Sequence, residues 1–266
     1  MKLVEFKVAF KDLVVAYRRR YLALMLGWQD IRQRYRRSTL GPFWLTISMG
    51  VMIGMIGLIF GQVLNSPMNE YLPYLSVGII LWTCFSTGVM EGVTCFIDSS
   101  GMIRQINLPL SIYPLRVLWR NTIVLFHNLL IIPFVFLFVG KGLQWHVLLL
   151  IPGCFLFLLN IFWISLLLGI FCTRFRDLPQ IVNSVLQVFF YLTPILWLPN
   201  SLNKRSASLI VDTNPIYHLI QLVRAPLLGE IPASLSWVVG GVMACLGVLL
   251  SMFILGKYKN KISYWL

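Results

Sequence analysis

Few side chains in this sequence are equipped for chemistry. Its 266 residues include nine carboxylates and three histidines, with no DxD, HExxH, GxSxG or Walker A pattern. Glu91 and Asp98 fall on one helix face, but the intervening rise separates them by roughly 10 Å. A metal or acid–base pair needs closer groups, so a solvated helix end paired with Arg104 or Arg120 is the better reading. His127 and Asn128 adjoin inside an apolar run, where polar groups seek partners on neighbouring helices. The five cysteines, Cys84, Cys95, Cys154, Cys172 and Cys245, lie in or beside apolar runs without a CxxC or Cys/His spacing. They read as small buried side chains, and no metal ligands are expected.

Two other sets carry more meaning. Arg18, Arg19, Arg20, Arg32, Arg34, Arg36 and Arg37 crowd the stretch from Tyr17 to Trp44, with Tyr21, Leu24, Met25, Trp28, Ile31 and Tyr35 at helical spacing between them. This is the pattern of a basic amphipathic helix at a membrane surface. Arg34, Arg36 and Arg37, beside Trp28, would suit substrate entry if the cargo carries phosphate, since arginine contacts phosphate bidentately. Plain anchoring to the membrane suits them equally well. Further along, Gln180, Ser184, Gln187 and Tyr191 recur at steps of four, three and four, with Asn183 beside them. A hydrated conduit wall for a polar cargo and hydrogen bonding between helices account equally for that stripe.

The elements that position these residues follow from composition. Hydrophobic residues make up 58% and charged residues 12%, and mean hydropathy is +0.81. A water-soluble domain cannot hide that much apolar surface, so the chain reads as an all-α integral membrane protein. Six transmembrane helices are predicted, at about 43–64, 71–96, 117–139, 147–172, 180–198 and 236–256. The region 1–42 forms an N-terminal section with an interfacial amphipathic helix, preceded by a weaker one within residues 1–20. The span domain is 43–256 and the tail 257–266. Gly50, Gly54, Gly57 and Gly61 give the first span a face for close helix approach. Asp98 to Arg116 is too polar to cross and reads as a short helix capped by Asp98, Ser99 or Ser100, followed by a turn. Pro194 is placed to bend the outer end of span five. Between spans five and six, Asn214-Pro215 opens one of two short re-entrant helices that dip into the membrane surface.

Charge placement sets the topology. Eighteen of the 22 Lys and Arg residues fall on one side of this span scheme; Lys141, Lys204, Arg205 and Arg224 fall on the other. Both termini are therefore expected in the cytoplasm. The net charge of +13 is distributed around apolar runs, as in a membrane protein and not a nucleic-acid binder.

Four segments carry a resemblance: WQDIRQRYRRSTLGPFW (Trp28 to Trp44), FRDLPQIV (Phe175 to Val182), YLTPILW (Tyr191 to Trp197) and NPIYHLIQLVRAPLLG (Asn214 to Gly229). Together they resemble the ABC-2-type permeases of bacterial polysaccharide export, O-antigen export permeases most of all, with capsular and teichoic-acid permeases as relatives. The resemblance implies a homodimer in the bacterial inner membrane, bound to two copies of a separate ATPase that holds ATP and Mg. No cofactor is then bound by this chain, which is not itself an enzyme. The cargo implied is a polyprenyl-diphosphate-linked glycan. Ser99, Ser100, Arg104 and Gln105 would form a coupling helix against the ATPase, with Arg174, Arg176 and Asp177 as a second contact. Asn214, Pro215, Tyr217 and His218 would form a periplasmic gate, and spans one, two and five would line the channel. Rival readings are an ABC-2 permease for a drug or another lipid, and a polytopic enzyme acting on polyprenyl-phosphate sugars.

Overall fold

A computed structural model describes residues 2–36, 41, 43–64, 66–140, 142, 144–199 and 208–266. Among them every regular element is helical: α1 (Lys2–Arg18), α2 (Arg20–Arg34), α3 (Phe43–Val63), α4 (Met68–Asp98), α5 (Ser100–Gln105), α6 (Ile112–Leu129), α7 (Ile131–Val139), α8 (Leu150–Arg174), α9 (Leu178–Leu192), α10 (Pro215–Leu228) and α11 (Ser234–Trp265). A 3-10 turn (Trp145–Leu149) precedes α8, and a π-helical turn (Ser208–Asp212) precedes α10. Five helical segments are long and apolar enough to cross a membrane: α3, α4, α6 with α7, α8 with its 3-10 turn, and α11.

The predicted third span begins five residues earlier than hydropathy suggests and is interrupted at Leu130. Pro133 has no N–H to donate to the Leu129 carbonyl, so the ladder breaks one turn before the proline. The predicted fifth span changes more. Its helix stops at Leu192, because Thr193, which precedes Pro194, is extended (φ −83°, ψ 132°). Pro194 ends the helix rather than bending it. At 15 residues α9 is about 22 Å long, short of the roughly 30 Å hydrocarbon core. The unwound stretch after it is clamped by neighbours. Tyr74 Oη and Arg224 Nη1 both donate to the Pro194 carbonyl at 2.8 Å, and Tyr71 Oη donates to Leu196 O at 2.7 Å. Those bonds replace the helical ones the backbone forfeits.

α4 is the central pillar, packed by α3, α6, α7, α8, α9 and α10. It runs parallel to α8 at close range because small residues meet: Gly88 and Gly92 on one helix, Ser165 and Gly169 on the other. A Cβ on Gly169 would sit 2.9 Å from Gly92 O, and Ser165 Oγ donates to Gly88 O at 3.2 Å. This is small-xxx-small packing. The glycine face predicted on the first span is used in part: Gly57 and Gly61 lie against Leu72, Met68 and Tyr71 of α4, while Gly50 and Gly54 border open space.

The N-terminal section is two helices that meet at Arg19, one for each of the two amphipathic stretches. Ala9, Asp12, Ala16, Ala23, Gly27 and Ile31 are buried on its inner side. Gly27 lets α2 sit against the α6 backbone, its Cβ position 3.0 Å from Arg116 O. The expected apolar face turns away from the protein: Tyr21, Leu24, Met25 and Trp28 are exposed, and of that set only Ile31 is buried. α1 is locked to the far end of the chain. The buried Asp12 carboxylate accepts from Ser111 N (3.0 Å), Ser111 Oγ (2.8 Å) and Leu110 N (3.3 Å), and pairs with Lys259 Nζ at 2.6 Å. Lys259 sits on α11, which continues as helix to Trp265 instead of ending near Gly256.

Candidate functional site

The arginine-rich end of the molecule is built on a polar cluster between α2, α4 and α6. Asp30 accepts from Arg116 Nε at 2.7 Å, from Arg116 Nη2, and from Arg120 Nη1 at 2.8 Å. Glu91 Oε2 accepts from Arg120 Nη2 (2.8 Å) and Nε (3.1 Å) and from Asn121 Nδ2 (2.7 Å). Glu91 Oε1 accepts from Arg34 Nη2 at 3.0 Å. Of the two partners expected for Glu91 and Asp98, Arg120 is used and Arg104 is exposed. Asp98 is turned back on its own helix, where Thr94 Oγ1 donates to it at 2.7 Å, and neither it nor a serine caps α5. The first helical bond of α5 runs from Ile103 N to Ser99 O at 2.9 Å.

The arginines assigned to substrate uptake divide accordingly. Burial alone would lower the Arg34 guanidinium, but its bond to Glu91 and that carboxylate's charge hold it above its ordinary value. Its charge is engaged within the protein. Arg36, by contrast, joins Arg32, Gln29 and Gln33 around an open hollow of about 350 Å³ on α2. Trp28, also assigned there, is exposed on that helix. Arg37 lies outside the described residues.

Between α4 and α9 lies a side cavity of about 600 Å³, lined by Trp82, Ser86, Thr87, Met90, Asn183, Leu186, Gln187, Phe190 and Tyr191. Amide and hydroxyl groups mix there with aromatic rings, and Trp82 and Phe190 meet at a tilt of 50° with 5.5 Å between centroids. Of the predicted channel stripe, Gln187 and Tyr191 reach this cavity. Gln180 and Ser184 sit nearer the helix start, exposed, with Ser184 Oγ donating to Gln180 O at 3.1 Å. Asn183 takes their place in the lining.

The two turns assigned to partner contact lie at the arginine-rich end. α5 presents Arg104 and Gln105 outward, with Ser99 buried and Ser100 half-buried at its start. Arg174, Arg176 and Asp177 are exposed; the Arg174 guanidinium stacks over Phe175 and Trp265, and Arg176 Nη2 reaches Trp265 O at 3.5 Å. At the opposite end, Asn214 caps α10, accepting from Ile216 N (3.0 Å) and Tyr217 N (3.2 Å), with Pro215 at the first helical position. Asn214 Nδ2 also donates to Thr193 Oγ1 at 2.8 Å. The His218 ring is buried between Ser236 Oγ (3.0 Å) and Asp212 O (2.9 Å), and Tyr217 Oη accepts from Gln221 at 2.9 Å. Tyr217 and His218 border a smaller hollow of about 260 Å³.

Asp30, Asn121, Thr87 and Asp12 are central to this geometry and escaped the reading of the sequence. A signal existed for two of them. Asp30 is the lone acid within a run of arginines, and Glu91 with Asn121 marks ionisable and polar groups inside apolar helices, which need named partners.

Comparison with known proteins now identifies the family. The signature of the ABC-2 type transporter matches residues 21–228. This chain belongs to the ABC-2 type transporter family. It is similar to the O-antigen export system permease protein RfbA of Myxococcus xanthus, 26% identical over 213 residues, covering 79% of this chain and 81% of that protein. An RfbA of the same description from Klebsiella pneumoniae is 26% identical over 248 residues, covering 90% and 93%. The ABC-2 match spans α2 to α10 and includes the charged cluster and the cavity. The chain is thus a multi-pass membrane protein and a transporter's membrane subunit, not an enzyme.

Proposed function

We propose that this chain is the membrane subunit of an ATP-driven exporter that moves a polyprenyl-diphosphate-linked polysaccharide of O-antigen type out of the cytoplasm. The observation that carries the reading is the cavity between α4 and α9, where Gln187, Asn183 and Thr87 face Trp82, Phe190 and Tyr191. Sugar rings have hydroxyl edges and apolar C–H faces, and this lining offers partners to both. The relatives that share most of its length bear the O-antigen export permease name.

The cavity is open on one side, and α9 buries only Leu186 while Ile181, Val185, Val188 and Leu192 remain exposed. A second copy of the chain in the bacterial inner membrane closes the half-conduit. The arginine-rich end faces the cytoplasm, following the lysine and arginine bias. There two copies of an ATPase bind ATP and Mg and push on α5 and on the turn at Arg174–Asp177. The lipid-borne diphosphate is met by Arg32 and Arg36 in the open hollow of α2, with Arg34 keeping that helix in place through Glu91. α10 and the residues before it form the periplasmic exit.

The test is export in cells that depend on this chain. Gln187→Ala and Tyr191→Ala are each expected to lower surface glycan several-fold while the protein still copurifies with its ATPase. Wild-type glycan levels in both variants, or purification of the chain with no ATPase, would defeat the proposal.

A further inference from the structure

A continuous run of polar contacts joins the wall of the cavity to α2. Thr87 is exposed to the cavity, and its Oγ1 lies 2.9 Å from Asn121 Oδ1. Asn121 Nδ2 donates in turn to Glu91 Oε2 and to its own helix at Val117 O, 3.1 Å away. Glu91 is held by Arg120 and Arg34, and Arg120 continues to Asp30. Arg34 and Asp30 belong to α2, so three side chains, Thr87, Asn121 and Glu91, span the distance between cavity and interfacial helix.

The first link has two settings. A threonine hydroxyl carries one proton. Within reach of Thr87 are two good acceptors, the Thr83 carbonyl at 2.6 Å and Asn121 Oδ1 at 2.9 Å. Donation to Asn121 completes the run; donation to Thr83 returns the hydroxyl to its own helix and leaves Asn121 Oδ1 without a donor. Asn121 is buried, so an empty acceptor there is unfavourable and the amide must find a new position or a new partner. Any turn of that amide moves the Nδ2–H that Glu91 accepts.

We infer that Thr87, Asn121 and Glu91 are positioning residues that report the occupancy of the cavity to α2. The inference rests on the reading of the cavity as a conduit. A hydroxyl of the polar cargo competes for the Thr87 proton, the Asn121 amide turns, and Glu91 redistributes its bonds between Arg120 and Arg34. Two of the three ion pairs that hold α2, Arg34–Glu91 and Asp30–Arg120, pass through the Asn121–Glu91–Arg120 cluster and change with cargo, while Arg116 keeps its own bonds to Asp30. The two-state element is local and defined by which carbonyl takes one proton, which is the physical requirement for coupling two separate sites.

The experiment places spin labels on α2 at Met25→Cys and on α6 at Phe126→Cys, both exposed sites, in the full chain in lipid nanodiscs with Cys245→Ser. The parent is expected to give one narrow distance distribution. Thr87→Val and Asn121→Leu, at side chains bonded to α4 and α6, are expected to broaden or lengthen it, as Glu91→Gln does directly. Thr87→Ser keeps the hydroxyl and is expected to restore the parent distribution, which a loss of packing would not. In cells Thr87→Val is expected to cut export about fivefold or more, the usual lower range of coupling between sites. A parent-like distribution in Thr87→Val overturns the inference, since Glu91 is then an anchor only. The two readings fail separately: an unchanged distance sinks the relay whatever export does, and normal export in Gln187→Ala sinks the conduit whatever the distance does.

Discussion

Two arginines four residues apart and a third between them have different work on α2. Arg34 bonds Glu91, whereas Arg32 and Arg36 line an open hollow with no carboxylate among its residues. Arg32→Gln with Arg36→Gln is therefore expected to weaken capture of vesicles containing a polyprenyl diphosphate, with the fold unchanged. Arg34→Gln is expected to loosen α2 while leaving that capture largely in place; the measurement is co-flotation with vesicles with and without the diphosphate lipid. Asp12 is the other residue with an outsized role, since four donors converge on a carboxylate with no exposure to solvent. Asp12→Ala strands Ser111, Leu110 and Lys259 together. Its expected cost is about 3 kcal/mol, the scale for breaking a buried charged pair. Reaction of the buried thiols of Cys84, Cys95 and Cys172 with a fluorogenic maleimide during heating measures it, as a transition at lower temperature.

At the scale of elements, the α4–α8 crossing depends on the absence of side chains. Gly92→Val forces Ser165 and the α8 backbone away and is expected to abolish folded, extractable protein. Gly54→Val, bordering open space, is expected to leave the monodisperse yield within about twofold, as surface substitutions away from special features do. The contrast explains how much was legible in the sequence. Caps, prolines and long apolar runs are local signals, so α3, α5 and the Asn214–Pro215 start of α10 lie where the residues place them. Hydropathy cannot tell lipid from protein, because an apolar residue is satisfied by both. The apolar face read for a membrane surface, Met25 and Trp28 among it, is exposed on α2, and the packing that spacing did not reveal falls to Ala23 and Gly27, as small residues do between membrane helices. The end of α9 was misplaced for a related reason. Composition continues apolar through Leu198, and only the Thr193-Pro194 backbone and its distant donors, Tyr71, Tyr74 and Arg224, decide where the helix stops. The cavity was half legible: period picked out Gln187 and Tyr191, but the opposite wall on α4 depends on a tertiary contact that no spacing encodes.

Across the whole molecule, the charged cluster, α5, the turn at Arg174–Asp177 and the end of α11 collect at one end, while Asn214, His218 and the unwound Thr193–Leu198 stretch collect at the other. The cavity lies along the side between them, where the central α4 meets the largely exposed α9. The bond between Asp12 and Lys259 joins the first helix to the last, and this has a consequence for how the protein is made. Lys259 is synthesised nearly a full chain length after Asp12. At about 5–20 residues per second the ribosome takes roughly ten to fifty seconds to supply it. Until then α1 has no ionic partner for a carboxylate that the finished protein hides completely. A chain that lacks the last turns of α11 leaves that carboxylate without its cation. Truncation after Gly256 is expected to leave residues 2–18 open to cleavage by a site-unspecific protease, whereas the full chain resists.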